Sequence, residues 1–375
     1  MPSSSHAPYS VPQGEHGGDV QQVARFLRIA PDNILDFSNN SFVQARDITA
    51  DALASVNSEF DRYPDPDCVA LRDALAQHET CPPDELLAGN GSAELIWLAL
   101  ATLQPRHAVL IGPIFSEYRR ACEGLGIPHT IVAPPDDCVQ WWPQHRPHIP
   151  QQADLAVLCS PNNPGGHTCP DLTACINALD CPTILLDLAY RDFLGPGPAR
   201  ENHTWTALKK LPQRLLCLHS LTKFFCSTGI RLGYLAADPA LLASMRRKRA
   251  NWMVNAFAAN AGIALLNRFN SYCERLPLLQ RDKTTLHAVL DGCGLFTEIL
   301  SGPSFLIARI DPLRLTAKCS RDRPAATLRT ELAVRRILVR DCDTIPGMPS
   351  GYLRLQARNT DDSAVLEKAL REIAA

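Results

Sequence analysis

No CxxC pair occurs in this chain. Of its 14 cysteines, the closest series (Cys169, Cys175, Cys181) has neither metal-ligand spacing nor histidine pairs beside it. Apolar surroundings such as LAVLCS around Cys159 and LLCLHS around Cys217 predict buried free thiols, with no metal site and no disulfide framework. Apolar runs stay short of the roughly 18 residues a membrane span needs. The opening MPSSSHAPYSVPQGEHGGDV lacks a basic start leading into an apolar stretch, so no signal peptide is expected and a cytoplasmic location is. Excess charge of one sign is missing too: 37 Lys and Arg face 39 Asp and Glu, a formal net charge of −2. That balance leaves no electrostatic footprint for nucleic acid and points to small-molecule partners. Neither GxGxxG nor a P-loop lysine motif appears, and no internal repeat or low-complexity block is found.

What is present is ordinary globular material, 46% hydrophobic and 20% charged over 375 residues, enough for more than one core. The reading is an N-terminal arm with part of a small domain (1–45), a large domain (46–268) and a small C-terminal domain (269–375). In the arm, VQQVARFLRIA has helical spacing and NILDFS reads as a short strand. From Ile48 to Leu266, buried-strand runs alternate with amphipathic helical stretches. The strand candidates are HAVLIG (107–112), DLAVLCS (154–160), TILLDL (183–188), RLLCLHS (214–220) and LGYLAA (232–237). Such alternation predicts a mostly parallel, doubly wound α/β sheet with ligand chemistry just past the strands' carboxyl ends. The segments TEILSGPSFLIARI, ILVRDCD and GYLRLQA suggest a smaller α+β unit. The final helix is expected to be capped by Thr360 or Asp361, with Val365, Leu366 and Leu370 on one face. Trp141 and Trp142, in a proline-broken loop, read as packing residues.

HSLTKFFCSTGIRLGYL (219–235) carries the most information. A buried strand ends at Ser220, Lys223 follows in a turn, and Arg231 comes eight residues later. A pyridoxal-phosphate (PLP) site needs this combination: a lysine whose amine can form an imine at neutral pH, with a hydroxyl and a guanidinium for the cofactor phosphate. Alone, a lysine after a strand is a solvated surface residue; Ser220 and Arg231 change that reading. LLAGNGSAELIWLAL (86–100) puts Gly91, Ser92 and Ala93 at a helix start, where N–H groups face an anion, although a Gly-rich turn is usually just a connection. Asp187 ends TILLD with Tyr190 three residues on. Its default role is a cap, but in a PLP site it would keep the pyridine nitrogen protonated while Tyr190 bonds the ring oxygen. In SPNNPGG, Asn163 could contact the same oxygen or simply form an Asn-Pro turn.

These stretches, together with GEHGGDV, ILDFSNN, RYPDPDCVALRDAL, WMVNAFAANAG and VRDCDTIPGMPSGYLRLQARN, resemble, in order and over nearly the whole chain, fold-type I PLP enzymes. These have the aspartate-aminotransferase fold, and the resemblance is to the histidinol-phosphate aminotransferase group. Within that group it is strongest to decarboxylases of phosphorylated amino acids. The resemblance implies PLP as cofactor, Lys223 as Schiff-base lysine, Asp187 as pyridinium partner, and Asn163 and Tyr190 on the ring oxygen. It implies Gly91, Ser92, Ala93, Ser220 and Arg231 at the phosphate, and Phe115 stacked on the ring, with Tyr118 as second choice. Tyr63 in RYPDP matches a tyrosine that reaches the neighbouring subunit's cofactor phosphate, implying a homodimer. Arg354 matches the substrate-carboxylate arginine, and alternation in YLRLQ independently turns it away from Leu353 and Leu355. Arg340 and His16 match positions around a substrate phosphate.

The sequence departs from the family's NxNP with Asn39-Asn40-Ser41-Phe42, from its NPTG with Asn163-Pro164-Gly165-Gly166, and carries Leu188 where an acid commonly follows the aspartate. The first departure bears on the substrate. The resemblance implies decarboxylation of a phosphorylated amino acid, L-threonine O-3-phosphate, to aminopropanol phosphate in cobalamin synthesis. The alternatives are O-phosphoserine decarboxylation, an aminotransferase of the histidinol-phosphate type, and a non-catalytic PLP sensor. The intact lysine, aspartate and arginine set argues against the last.

Overall fold

The computed structural model describes residues 11–14, 17–57, 61–134, 139–140, 149–315 and 322–375. His16, Trp141 and Trp142 therefore lie outside the described residues. NILDFS yields a two-residue strand, β1 (Leu35–Asp36). A seven-stranded sheet follows from β2 (Leu86–Gly89), β3 (Ala108–Ile111), β4 (His129–Val132), β5 (Leu155–Cys159), β6 (Thr183–Asp187), β7 (Arg214–Ser220) and β8 (Gly233–Ala237). Their order is β2-β8-β7-β6-β5-β3-β4. Strands β3 to β7 run parallel, whereas β8 is antiparallel to both β7 and β2. The link from β7 to β8 consists of turns, with no helix to carry the chain back, so β8 must return in the opposite direction. Lys223 sits in that link.

The apolar runs sit inside because both sheet faces are covered. Ala156 and Leu158 of β5 enter one hydrophobic cluster, while Leu155 and Val157 enter the cluster on the other face. Successive side chains of a strand point to opposite faces, so a strand buried on both sides must be apolar throughout. Each such leucine or valine contributes roughly 1.5–3 kcal/mol relative to exposure. The sequence reading missed β2 and β4. LLAG is short and glycine-ended, and the edge strand β4 is only partly buried.

A four-stranded antiparallel sheet combines β9 (Phe296–Ser301), β10 (Phe305–Ile310), β12 (Arg340–Asp341) and β13 (Tyr352–Gln356) in the order β12-β13-β10-β9. Between β10 and β12 in the chain, β11 (Ile337–Leu338) pairs in parallel with β1, so the segment after the arm joins this half of the molecule. The turn between β9 and β10 rests on the SPNNPGG loop, backbone against backbone: a Cβ on Gly166 (φ +79°) would lie 2.7 Å from Gly302 Cα. The last helix, Thr360–Ala374, is capped by Asn359, whose side chain accepts from the Asp362 N–H, not by Thr360 or Asp361. Leu366, Ala369, Leu370 and Ile373 form its buried face, and Val365 faces solvent.

Candidate active site

The carboxyl ends of β5, β6 and β7 form the floor of a cavity of about 290 Å³. Asp187, the last residue of β6, lies opposite Cys159 of β5 in register. Its carboxylate is buried and accepts from the Ala189 N–H (3.0 Å) and the Tyr118 hydroxyl (2.9 Å). Burial holds its pKa above the usual carboxylate range against these two donors. A cation brought beside it would favour the ionised form.

Lys223 lies in the turn after β7, where its carbonyl accepts from the Phe42 N–H at 2.9 Å. Enclosure in the protein, reinforced by the charges of Arg354 and Arg231, lowers its pKa to about 8. A lysine so placed has free amine near neutral pH, which is what imine chemistry requires.

Groups suited to an anion gather at a helix start that lines the cavity. Helix Gly91–Leu103 starts without a side-chain cap among the described residues, and its first-turn N–H groups and macrodipole favour negative charge there. Gly91 has φ +74°, and a Cβ on it would meet Arg231 Nη2 at 2.7 Å, so the glycine leaves the space the guanidinium occupies. Ser220 Oγ lies 2.7 Å from Thr222 Oγ1, and both residues line the cavity. Thr222 was missed in the sequence, although its signal was visible: two hydroxyl residues alternate in SLTK just before the lysine.

Two arginines also meet here. Arg340 of β12 and Arg354 of β13 are cross-strand partners, and both line the cavity. Leu353 and Leu355 turn into the core, as alternation predicts for their neighbour Arg354. Arg354 donates to Asn163 Oδ1 and to the Ser38 carbonyl (3.2 Å), and lies 5.4 Å over the Phe305 ring, while its buried Nε has no partner among the described residues. Arg340 donates to the Gly14 carbonyl (2.9 Å) and to Thr344 Oγ1 (2.7 Å). Burial lowers the pKa of both, and Arg354 helps bring that of Arg340 to about 10. The pairing sets two guanidinium groups side by side in one wall of the cavity, a geometry suited to a ligand with two anionic groups.

Ser92, Ala93, Phe115, Asn163, Asp187, Tyr190, Ser220, Lys223, Arg231, Arg340 and Arg354 all line this one cavity. Gly91 lies directly behind Arg231. Tyr118 is engaged by Asp187 and fully buried, so of Phe115 and Tyr118 it is Phe115 that lines the cavity. Tyr63 does not reach it: the ring is 80% exposed and stacks on Trp252 at 4.5 Å. Asn40, named in the sequence only within the Asn39-Asn40-Ser41-Phe42 departure, donates from Nδ2 to the Tyr190 hydroxyl at 2.9 Å. Among the described residues no cluster of His, Cys, Asp and Glu could hold a metal, and every described cysteine is free.

The model of the family "Aminotransferase class I and II" matches residues 32–373. The chain belongs to the class I and II aminotransferases. It is 33% identical to the threonine-phosphate decarboxylase of Salmonella typhimurium over 366 residues, covering 96% of each chain. It is 27% identical to a histidinol-phosphate aminotransferase of Desulfitobacterium hafniense over 326 residues, 84% of each. Among solved structures, the histidinol-phosphate aminotransferase of Sinorhizobium meliloti in complex with pyridoxal-5'-phosphate superposes with a TM-score of 0.76 at 18% identity, over 94% of each chain. Enzymes of this family use PLP, and the residues here fit it: a glycine-backed guanidinium and helix start for a phosphate, a buried carboxylate at the cavity floor, and an amine of lowered pKa between them.

Proposed function

We propose that this aminotransferase-family enzyme decarboxylates a phosphorylated amino acid, L-threonine O-3-phosphate, to aminopropanol phosphate and CO2. The observation that carries the reading is the Arg340–Arg354 pair, two buried cations facing the cavity that holds Lys223. A substrate with a carboxylate and a phosphate dianion suits such a pair, with one guanidinium for each anionic group. The 33% identity to a protein named threonine-phosphate decarboxylase supports it.

In this reading Lys223 carries the cofactor, Asp187 keeps its ring nitrogen protonated, Asn163 and Tyr190 bond the ring oxygen, and Phe115 stacks on the ring. Gly91, Ser92, Ala93, Ser220, Thr222 and Arg231 hold the cofactor phosphate. Bound there, PLP supplies an electron sink for the pair left on the substrate's Cα. Arg354 anchors the substrate carboxylate and Arg340 the substrate phosphate, with His16 of the arm as a further phosphate contact. Anchoring both ends fixes rotation about the bonds at Cα and so selects which of them breaks. Lys223, with a pKa of about 8, is suited to carry a proton to Cα near neutral pH. The active form is a homodimer in which Tyr63 reaches the neighbouring phosphate site.

A second reading, an aminotransferase of the histidinol-phosphate type, is supported by relatives of that name. Incubating the PLP-loaded protein with phosphothreonine, with and without 2-oxoglutarate, separates the two. CO2 release that does not require the oxo acid is expected. Glutamate formation without CO2 would establish the aminotransferase instead.

A further inference from the structure

Asn40 is buried, lines the cavity, and is held at its backbone. Its carbonyl accepts from the Ser304 hydroxyl at 2.8 Å, and its N–H donates to Asn39 Oδ1 at 2.7 Å. Its side chain makes one bond, from Nδ2 to the Tyr190 hydroxyl (2.9 Å), across 150 residues of sequence. Asn40 Oδ1 accepts nothing among the described residues. A phenol has one proton. If the hydroxyl oxygen accepts from Asn40, that proton must point elsewhere, and the cavity beside Lys223 and Asp187 is open to it. The Tyr190 ring packs against Phe193, stacked at 5.9 Å, and Phe305, T-shaped at 5.9 Å, neither of which offers an acceptor.

We propose that Asn40 is a positioning residue for Tyr190: its amide fixes the hydroxyl so that the phenolic proton is donated into the cavity, to the oxygen substituent of the cofactor ring. The inference rests on the PLP reading of the site. Burial pushes the Tyr190 pKa up to about 12, and the charge of Arg354 and the Asn40 bond both act in the opposite direction. Asn40 thus makes Tyr190 a stronger donor. A stronger donor stabilises the ring's phenolate form, which lowers the pH at which the bound chromophore loses its proton.

The test is a spectroscopic pH titration of the PLP-loaded protein without substrate. Asn40→Ala should raise the chromophore pKa by about half to one unit, the size of one hydrogen bond. Asn40→Asp, which keeps the shape but offers a carboxylate that takes the phenolic proton, should raise it further. In a Tyr190→Phe background, Asn40→Ala should leave the titration where Tyr190→Phe alone puts it, since the amide then has no hydroxyl to orient. A downward shift, no shift, or an equal shift in both backgrounds overturns the inference: the first means that Tyr190 donates to Asn40, the last that Asn40 acts only through general packing. Wild-type protein that takes up no PLP would instead refute the cofactor reading itself.

Discussion

At Lys223 the burial of a cation sets when the amine becomes available. A folded-state pKa of about 8, below that of an ordinary lysine, means that the amine is mostly protonated at pH 7 and mostly free at pH 9. The rate of PLP uptake by the cofactor-free protein should therefore climb about tenfold per pH unit below pH 8 and level off above it. Stopped-flow absorbance checks this, and a rate still climbing beyond pH 10 would show that the lysine is not desolvated. Arg340 is tested by substrate rather than cofactor. Removing one cation from a desolvated anchor should cost about 2–5 kcal/mol in kcat/KM for phosphothreonine, because the opposing charge is left unpaired. PLP affinity should stay close to wild type in Arg340→Ala. Equal loss toward a non-phosphorylated amino acid would remove the phosphate-anchor role.

Among the elements, the β2 end and the helix that follows matter most, because the proposed phosphate site draws on their backbone. Gly91 is required twice over, by its φ of +74° and by the 2.7 Å that a Cβ would leave to Arg231. Gly91→Ala therefore combines backbone strain with a displaced guanidinium, a penalty on the order of 1–3 kcal/mol. The dissociation constant for PLP, measured by dialysis and absorbance, should rise roughly tenfold or more. Unchanged PLP affinity would mean that the phosphate does not sit at this helix start. The β7–β8 link shows a second way an element sets the site. Its turns bring Lys223, Ser220 and Arg231 to one wall, and a helical crossover there would have separated them.

For the whole molecule, the proposed homodimer is tested at the exposed Tyr63–Trp252 stack. Rings 80% and 46% exposed are apolar surface that a second copy of the chain would cover. Sedimentation should show a dimer, and Tyr63→Phe should weaken PLP retention without altering the dimer; a fully active, fully loaded monomer would refute the arrangement. Much of this molecule was legible in the linear chain. The middles of runs such as TILLD and RLLCLHS are apolar because both faces of the large sheet are covered, and Asp187, Ser220 and Lys223 could be singled out because chemistry in such sheets gathers where the strands end. Alternation in YLRLQ likewise placed Arg354 away from the core. The sequence alone determined these because each rests on a local period or a spacing of a few residues. It could not show that Asn40 lies against Tyr190, that Arg340 and Arg354 are cross-strand partners, that Tyr118 belongs to Asp187, or that β8 reverses direction. Those were decided by tertiary structure, since each is a contact or pairing set by how separate elements pack, and no local pattern encodes which distant side chain will fill the neighbouring space.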